Sequence, residues 1–363
     1  MAWATLVAHF SPGPRRKRPH DCRHTNGVSM GQTESGYSTV FSEHMPHSRV
    51  SAHLAALWAT ADASRTNPLW QPQWPPGAPA DAATADTWGE GPEAALLAGI
   101  VGSNLCLDRF GSSHPGEVPR PLHGEAGVAE WVIAKPDPSS SPVAVCFEAY
   151  LPLAGLQVRR SFALTGASVT VTTAVLRPSA SPDAPVEWAE HTTLGGPFLD
   201  GVAAVEATVN GAWDMPAGGA AAAAAGAGED APPSSVPLAA ALRMPGPADP
   251  PEGSVRTTRV SPGSPEGGRW RAASPATGWV LEAAWDAADF PWLCVWTEHR
   301  SRSHAPWAGR ERTRGLELST KPFPEGRPPP SRQGEFAGAP ASFAVAAGAP
   351  AVSKAVTLTW TRL

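Results

Sequence analysis

Short apolar runs separated by turn residues recur along the chain from residue 49 onward, and helical periodicity is almost absent. The run Ser168–Leu176 is the clearest example, because it alternates valines with polar residues between Gly166 and Pro178. A period of two and enrichment in β-branched residues are typical of a strand with one buried face. The other predicted strands cover residues 50–58, 99–110, 130–134, 143–151, 156–164, 202–209, 277–284, 292–296, 315–319, 342–347 and 356–360.

The spacing of these runs predicts the fold class. They follow one another at intervals of roughly 8–12 residues with turn residues between them, which is typical of an all-β sandwich. Only Pro92–Ile100 has a pattern that allows one or two helical turns. We therefore expect a large antiparallel all-β fold with few short helices.

Composition divides the chain into an extension, one β domain and an insertion. Residues 1–45 mix His, Pro, Ser, Gly and Arg without a period, so we expect a flexible N-terminal extension. Residues 46–363 carry the strand pattern and form the predicted β domain. Within that domain, residues 215–254 are low in complexity, and Gly218–Gly228 is almost pure Ala and Gly. Alanine favours a helix, but the interleaved glycines and the adjoining prolines favour a loop insertion.

The charge balance excludes some classes of partner. The 363 residues carry 28 Lys and Arg against 33 Asp and Glu, a net charge of −5. A nucleic-acid-binding protein needs a clustered basic face, and the one dense basic run, residues 15–18, lies in the predicted extension. No stretch approaches the roughly 18 apolar residues of a membrane span, and the N-terminus lacks the pattern of a secretory signal. We expect a soluble, cytoplasmic protein without nucleic-acid or membrane partners.

The spacing of the four cysteines is also consistent with a cytoplasmic protein. Cys22, Cys106, Cys146 and Cys294 show no Cys-x-x-Cys spacing, and the last three lie in apolar runs. We expect buried free thiols, since disulfide frameworks are typical of short secreted chains.

Three short segments far apart in the chain offer candidate chemistry. They are 121–125 around His123, 190–196 around His191, and 314–318 around Glu317. Glutamate is a base at pH 7 and histidine titrates near neutrality, so this set can move a proton on and off a sugar hydroxyl. Glu317 stands between two leucines in a predicted strand, so its neighbours point to the other face. The same pattern also suits a glutamate that merely faces solvent.

These three segments, in this order within an all-β chain, resemble the galactose mutarotase (aldose 1-epimerase) superfamily over residues 50 to 363. The resemblance is to its uncharacterised aldose-epimerase-like branch. Residues 121–124 look like the family's Leu-His-Gly turn, Glu190-His191 stands where the family has its second histidine, and 314–317 looks like the strand that carries the catalytic glutamate. The resemblance implies a β-supersandwich and an isomerase that acts on the anomeric centre of a free sugar.

The resemblance also implies roles for individual residues. Glu317 would be the base, His191 the acid, and His123 would polarise the ring-oxygen region, while Arg109 would hold a sugar hydroxyl. The chain departs from the family pattern where Glu190 precedes His191 and two threonines follow it. The hexose specificity of the family is therefore not implied.

Further residues are candidates for binding a carbohydrate substrate. The chain has 15 Trp and 2 Tyr, and tryptophan faces stack on sugar rings, although burial in the core is the commoner role. The polar, aromatic loop 298–307 leads to the Glu317 strand and suits a substrate-binding rim. The predicted substrate-binding residues besides Arg109 are Glu125, Trp296, His299 and Trp307, and Trp70 and Trp292 are further tryptophans that could line a cleft.

Other functions fit the same residues. A non-catalytic carbohydrate-binding protein of this fold would need the cleft without the proton transfer. A metal site is another interpretation, in which His123, Glu125, Glu190, His191 and Glu317 supply nitrogen and oxygen ligands. Without a tighter ligand motif we predict neither a metal nor a cofactor. A glycoside hydrolase is disfavoured, because no second carboxylate pairs clearly with Glu317. The oligomeric state is not indicated.

Overall fold

Two large antiparallel sheets pack face to face in the computed structural model of the chain. It describes residues 27–30, 37–44, 49–59, 61–77, 86–89, 93–113, 118–134, 144–182, 184–216, 232–264, 266–325 and 333–363, with backbone alone up to residue 51. The strands are β1 (Gly27–Met30), β2 (Tyr37–His44), β3 (Arg49–Ala59), β4 (Ser103–Asp108), β5 (Val132–Ala134), β6 (Ala144–Leu151), β7 (Leu156–Thr165), β8 (Ser168–Leu176), β9 (Glu187–Gly195), β10 (Val205–Ala207), β11 (Val209–Asp214), β12 (Glu252–Val260), β13 (Gly268–Ser274), β14 (Trp279–Trp285), β15 (Trp292–His299), β16 (Arg312–Ser319), β17 (Glu335–Phe336), β18 (Ala339–Pro340) and β19 (Val352–Arg362). The helices are α1 (Ala94–Gly99) and α2 (Leu238–Leu242), with 3₁₀ turns at Asp86–Trp88, Glu125–Gly127 and Leu199–Gly201.

The strand order defines the two layers. The nine-stranded sheet runs β1-β2-β3-β4-β9-β16-β15-β12-β11, and the eight-stranded sheet runs β10-β13-β14-β19-β8-β7-β6-β5. Neighbouring strands in both sheets are antiparallel. The predicted all-β sandwich with few short helices is therefore confirmed. Among the described residues, neither helix is long or apolar enough to cross a membrane.

The core lies between the sheets and is built by alternation along each strand. In β7, Leu156, Val158, Arg160 and Phe162 point inward, and the residues that alternate with them are exposed or half-buried. From the nine-stranded sheet, Leu316 and Leu318 enter the same core. Because successive side chains of a strand point to opposite faces, the residues that alternate with these leucines lie on the outer face of that sheet.

One buried ion pair crosses this apolar core. Nη2 of Arg160, on β7, lies 2.8 Å from Oε2 of Glu190 on β9. The hydroxyl of Thr173 also donates to Oε1 of Glu190, at 2.9 Å. Arg160 is completely buried and its guanidinium lies 5.2 Å from the ring centroid of Phe162. Glu190 precedes the predicted catalytic residue His191 in the sequence. Its side chain nevertheless points into the core, where it links the two sheets through Arg160 and Thr173.

Most predicted strands are present, with shifts at their ends. The segment 99–110 begins inside α1, and 342–347 makes only an isolated bridge, between Ala344 and Pro185. Besides β1 and β2, six strands were not predicted: β9, β11, β12, β13, β17 and β18. In β9, β11 and β12 polar and apolar residues do not alternate cleanly in the sequence, and β17 and β18 have two residues each. The predicted buried free thiols are confirmed for Cys106, Cys146 and Cys294, while Cys22 lies outside the described residues.

Two segments predicted to be irregular contain regular structure. The backbone of β1 and β2, both within residues 1–45, continues the nine-stranded sheet beyond β3. Part of the predicted extension is therefore a sheet edge. In the predicted insertion, residues 217–231 lie outside the described part of the chain, and α2 and the start of β12 occupy its second half.

Removing one partner of the buried ion pair tests the role assigned to Glu190. We expect Arg160→Met to lower the free energy of unfolding by about 3–5 kcal/mol, because it leaves a carboxylate uncompensated between the sheets. Urea unfolding followed by tryptophan fluorescence measures this. Arg159→Met is the matched control, since the 2.8 Å pair between Arg159 and Glu148 is half exposed, and we expect a change within about 1 kcal/mol. Equal losses in the two variants would contradict the assigned role.

Candidate active site

The pairing of β9 with β16 brings the predicted histidine and glutamate together. Glu317 lies directly opposite His191 in the register of this antiparallel pair. Directly opposed residues share a face of the sheet, and Leu316 and Leu318 fill the core, so both functional side chains lie on the outer face. We call this outer face of the nine-stranded sheet the site face.

The two side chains are in direct contact. Nε2 of His191 lies 3.0 Å from Oε1 of Glu317, and the two residues are 3% and 2% exposed. Oε2 of Glu317 is buried and has no hydrogen-bond partner among the described residues. A buried carboxylate oxygen without a donor is costly, and a ligand hydroxyl would remove that cost. The site therefore holds a buried, unpaired acceptor next to a histidine.

Thr193 completes the surroundings of the histidine. Its hydroxyl lies 3.0 Å from Nδ1 of His191, two residues along β9 on the same face. A threonine hydroxyl can donate to the neutral ring or accept from the charged ring. The hydrogen bond at Nδ1 can therefore form whether or not that nitrogen carries a hydrogen.

His123 reaches the same place from a turn beside β4. It has φ of 62°, and Gly124 follows with φ of 84°. A side chain on Gly124 would meet the backbone of Leu107 at 2.5 Å, which explains the His-Gly sequence. The ring centroids of His123 and His191 lie 5.8 Å apart, with the planes at 82°. The structure thus brings the three predicted catalytic residues together.

Hydrogen bonding and burial hold His123 neutral. The backbone N–H of Gly111 donates to Nδ1 of His123 at 3.3 Å, so the neutral ring carries its hydrogen on Nε2. Burial, followed by the nearby charges of His191, Arg302 and Lys321, lowers the pKa of His123 from 6.5 to about 3. At neutral pH His123 can donate a hydrogen bond from Nε2 but is not an acid.

Tryptophans form one wall of the site. The rings of Trp296 and His191 have centroids 6.0 Å apart, and Trp296 is partly exposed. Behind Trp296, Trp70 and Trp307 stack with centroids 5.9 Å apart and planes within 4°, and both are buried. Trp292 shares the face of Trp296, as the sequence predicts, but it is buried against Trp213 and Phe336. Only Trp296 among these side chains faces both the histidine and open space.

Arg302 borders the site on the same side, and the sequence did not single it out. Its guanidinium lies 4.6 Å from the ring centroid of Trp307 and 5.5 Å from that of Trp296. It also pairs with Glu298, with Nε 3.4 Å from Oε2. A cavity of about 620 Å³ opens beside it, and its lining includes Asp214, Val255, Trp296, Glu298 and Ser301.

Two predicted binding residues are engaged elsewhere, which corrects their assignment. Glu125 is buried and accepts hydrogen bonds from the backbone N–H groups of Leu153, at 3.0 Å, and Ala154, at 2.7 Å. It therefore fixes the turn between β6 and β7, and burial raises its pKa. His299 lies three residues after Trp296 in β15, so it points to the opposite face. Its Nε2 lies 3.0 Å from the carbonyl oxygen of Asp249.

Arg109 lies at the end of β4 in a group of buried charges. Its Nη1 lies 3.7 Å from Oδ2 of Asp108, and Arg120 pairs with the same oxygen at 2.7 Å. Nearby, Nζ of Lys321 lies 2.8 Å from Oε1 of Glu187, and burial lowers the pKa of Lys321. The role of Arg109 in holding a hydroxyl stays a prediction.

A metal centre built from the predicted ligands does not fit this arrangement. Glu190 points into the core and Glu125 is held by backbone amides, so neither can join the histidines. In the part of the chain that the structure describes, no three His, Cys, Asp or Glu side chains cluster as metal ligands would.

Comparison with known proteins identifies the fold. No protein-family model matches the chain, and no curated protein matches it. Solved structures do match. A protein of Escherichia coli K12, provisionally named an aldose 1-epimerase, is 14% identical with a TM-score of 0.54, covering 91% of this chain and 97% of that one. A Klebsiella pneumoniae protein with the same provisional name is 14% identical with a TM-score of 0.59, covering 91% and 78%.

A third solved structure has a similar fold. The galactose mutarotase related enzyme of Lactobacillus acidophilus is 9% identical with a TM-score of 0.56, covering 92% of this chain and 97% of that one. Structural matches at identities this low show the fold and leave the chemistry open. The chain has the fold of the mutarotase-related proteins, which confirms at the level of fold the resemblance seen in the sequence.

The lowered pKa of His123 makes a prediction about stability and pH. The unfolded chain binds a proton at this residue near pH 6.5, but the folded chain does not until about pH 3. Stability must therefore fall as the pH drops through this window, by up to about 1.4 kcal/mol for each pH unit. We expect His123→Asn, which tolerates the positive φ, to weaken this dependence between pH 7 and pH 5.

Urea unfolding of both proteins across this range measures the difference in slope. The other histidines are common to both proteins, so the difference isolates His123. Parallel curves would show that His123 titrates normally in the folded protein.

Proposed function

We propose that the protein is an aldose 1-epimerase-like isomerase, which interconverts the anomers of a free sugar or a related cyclic hemiacetal. One observation carries this proposal: Nε2 of His191 lies 3.0 Å from Oε1 of Glu317, while Oε2 of Glu317 has no partner among the described residues. An acid and a base joined on one face, with one oxygen free, suit the two oxygens of a hemiacetal carbon.

The proton steps balance between these two residues. Oε2 of Glu317 takes the proton from the O1 hydroxyl, and Nε2 of charged His191 gives a proton to the ring oxygen, so the bond from C1 to the ring oxygen breaks. The resulting aldehyde rotates about the C1–C2 bond. His191 then takes back the proton from the ring-oxygen hydroxyl as it attacks C1, and Glu317 returns its proton to O1. The hydroxyl of Thr193 can hydrogen-bond to Nδ1 in either protonation state of this proposed mechanism, because it can both donate and accept.

Other residues near this pair fit the binding of a small carbohydrate. Nε2–H of neutral His123 is a donor suited to the ring-oxygen region. Trp296 offers a partly exposed aromatic face beside His191, on which the C–H face of a sugar can stack. Arg109 would supply donors to a hydroxyl. Which sugar is bound is left open by these contacts.

The alternative is a carbohydrate-binding protein without catalysis. The direct contact between His191 and Glu317 is the observation that favours it, because a ligand must then share or displace that contact. The two functions differ in what the pair does once a sugar is bound, and the same variants separate them.

Substitutions of the pair test the proposal. We expect Glu317→Gln and His191→Asn each to slow the interconversion of sugar anomers by about 10²–10⁴-fold, because each removes one proton-transfer group. Saturation-exchange NMR on a panel of aldoses measures the rate directly. Near-UV circular dichroism of the tryptophans shows whether the fold is intact.

Glu206→Gln is the matched control, since Glu206 is an exposed glutamate on the other sheet that pairs with Arg271. It should keep the wild-type rate. Sugar binding seen by calorimetry and tryptophan quenching, with no acceleration of exchange by the wild-type protein, would assign the non-catalytic function instead. Unchanged exchange in both site variants would remove Glu317 and His191 from the mechanism.

A further inference from the structure

Gly315 lies on the site face directly beside the proposed catalytic pair. It is two residues before Glu317 in β16, so the two residues share a face. In the register of the sheet it lies opposite Thr193 of β9 and Trp296 of β15. Gly315 is therefore bordered by the glutamate, by the threonine that contacts His191, and by the tryptophan wall.

The space above Gly315 is occupied by the functional side chains. A Cβ atom added there would lie 2.7 Å from Oε1 of Glu317 and 2.9 Å from Cε1 of His191. It would also lie 3.2 Å from Cε3 of Trp296. The carboxylate of Glu317 thus extends back along its own strand, over the place where a side chain at position 315 would lie.

The backbone conformation does not explain this glycine. The turn residue Gly124 has a positive φ that other residues rarely adopt, whereas Gly315 lies inside a regular strand with partners on both sides. Glycine in the interior of a strand weakens it and often marks a close approach of another group. Here the groups that approach are Oε1 of Glu317 and the ring of His191.

We propose that Gly315 is a positioning residue, whose missing side chain gives the Glu317 carboxylate room to reach Nε2 of His191. This inference rests on the proposed function for its catalytic meaning, but its structural part stands on the geometry alone. The backbone of β16 is held by β9 and β15, so it cannot retreat from an added methyl group. The flexible glutamate side chain would move instead.

Gly315→Ala tests this inference. We expect it to break the contact between Nε2 of His191 and Oε1 of Glu317, which the ¹⁵N chemical shift of Nε2 reports. We also expect anomer exchange to fall on the order of 10²-fold, mainly in kcat, because misplacing a catalytic group by about 1 Å has effects of this size. Gly246→Ala is the matched control, since φ of Gly246 is not positive and the nearest atom to its added Cβ is 3.9 Å away.

A double variant keeps the test decisive if the alanine also lowers stability. Removing the carboxylate in Gly315→Ala/Glu317→Ala relieves the closest contact of the methyl group and leaves the one with Cε1 of His191, so we expect it to recover part of the Tm lost in Gly315→Ala. A Nε2 signal in Gly315→Ala that matches the wild type would overturn the inference, and so would a loss of Tm that Glu317→Ala does not relieve. If the wild-type protein turns over no sugar, the proposed function fails, while the Nε2 signal and the double variant still decide the role of Gly315.

Discussion

The site depends on the register between the two central strands β9 and β16. With Glu317 opposite His191, Glu190 and Leu316 necessarily point the other way, into the core between the sheets. A slip by one residue would bury the Glu317 carboxylate among leucines and expose those leucines on the site face. The apolar core and the pair of Glu190 with Arg160 therefore fix His191 and Glu317 on the outer face from the opposite side of the sheet.

Part of this arrangement could be predicted from the sequence because it is written in local patterns. Glu317 between two leucines shows its face by alternation, and the His123-Gly124 turn shows a position that needs positive φ. His191 was harder to place. It lies in the middle of β9, not at a strand end, and β9 is buried on both faces, so its sequence lacks the alternation that marks a half-buried strand. The order of the strands, which pairs β9 with β4 and β16, depends on contacts between distant segments and is not local information.

The residues that were misassigned share one physical reason. A carboxylate or an imidazole can serve the fold as readily as a ligand, and the sequence does not show which partner it meets. Glu125 is satisfied by two backbone amides of a neighbouring turn, and His299 by the carbonyl of Asp249. For His299 the error also came from treating its segment as a loop. Because β15 continues to residue 299, its odd spacing from Trp296 decides its face.

The burial of the pair explains why small space-filling details matter here. A buried polar contact is strengthened by its surroundings, but a buried carboxylate oxygen without a donor costs stability. Glu317 has both, one on each oxygen, so the site is held in a state that a ligand hydroxyl would relieve. Such a state persists only if the side chain has no easier conformation, and the packing of Trp296 and the missing side chain of Gly315 define the space in which it lies. The geometry of the proposed acid and base thus depends on the space left by the missing side chain at position 315 as well as on the two residues themselves.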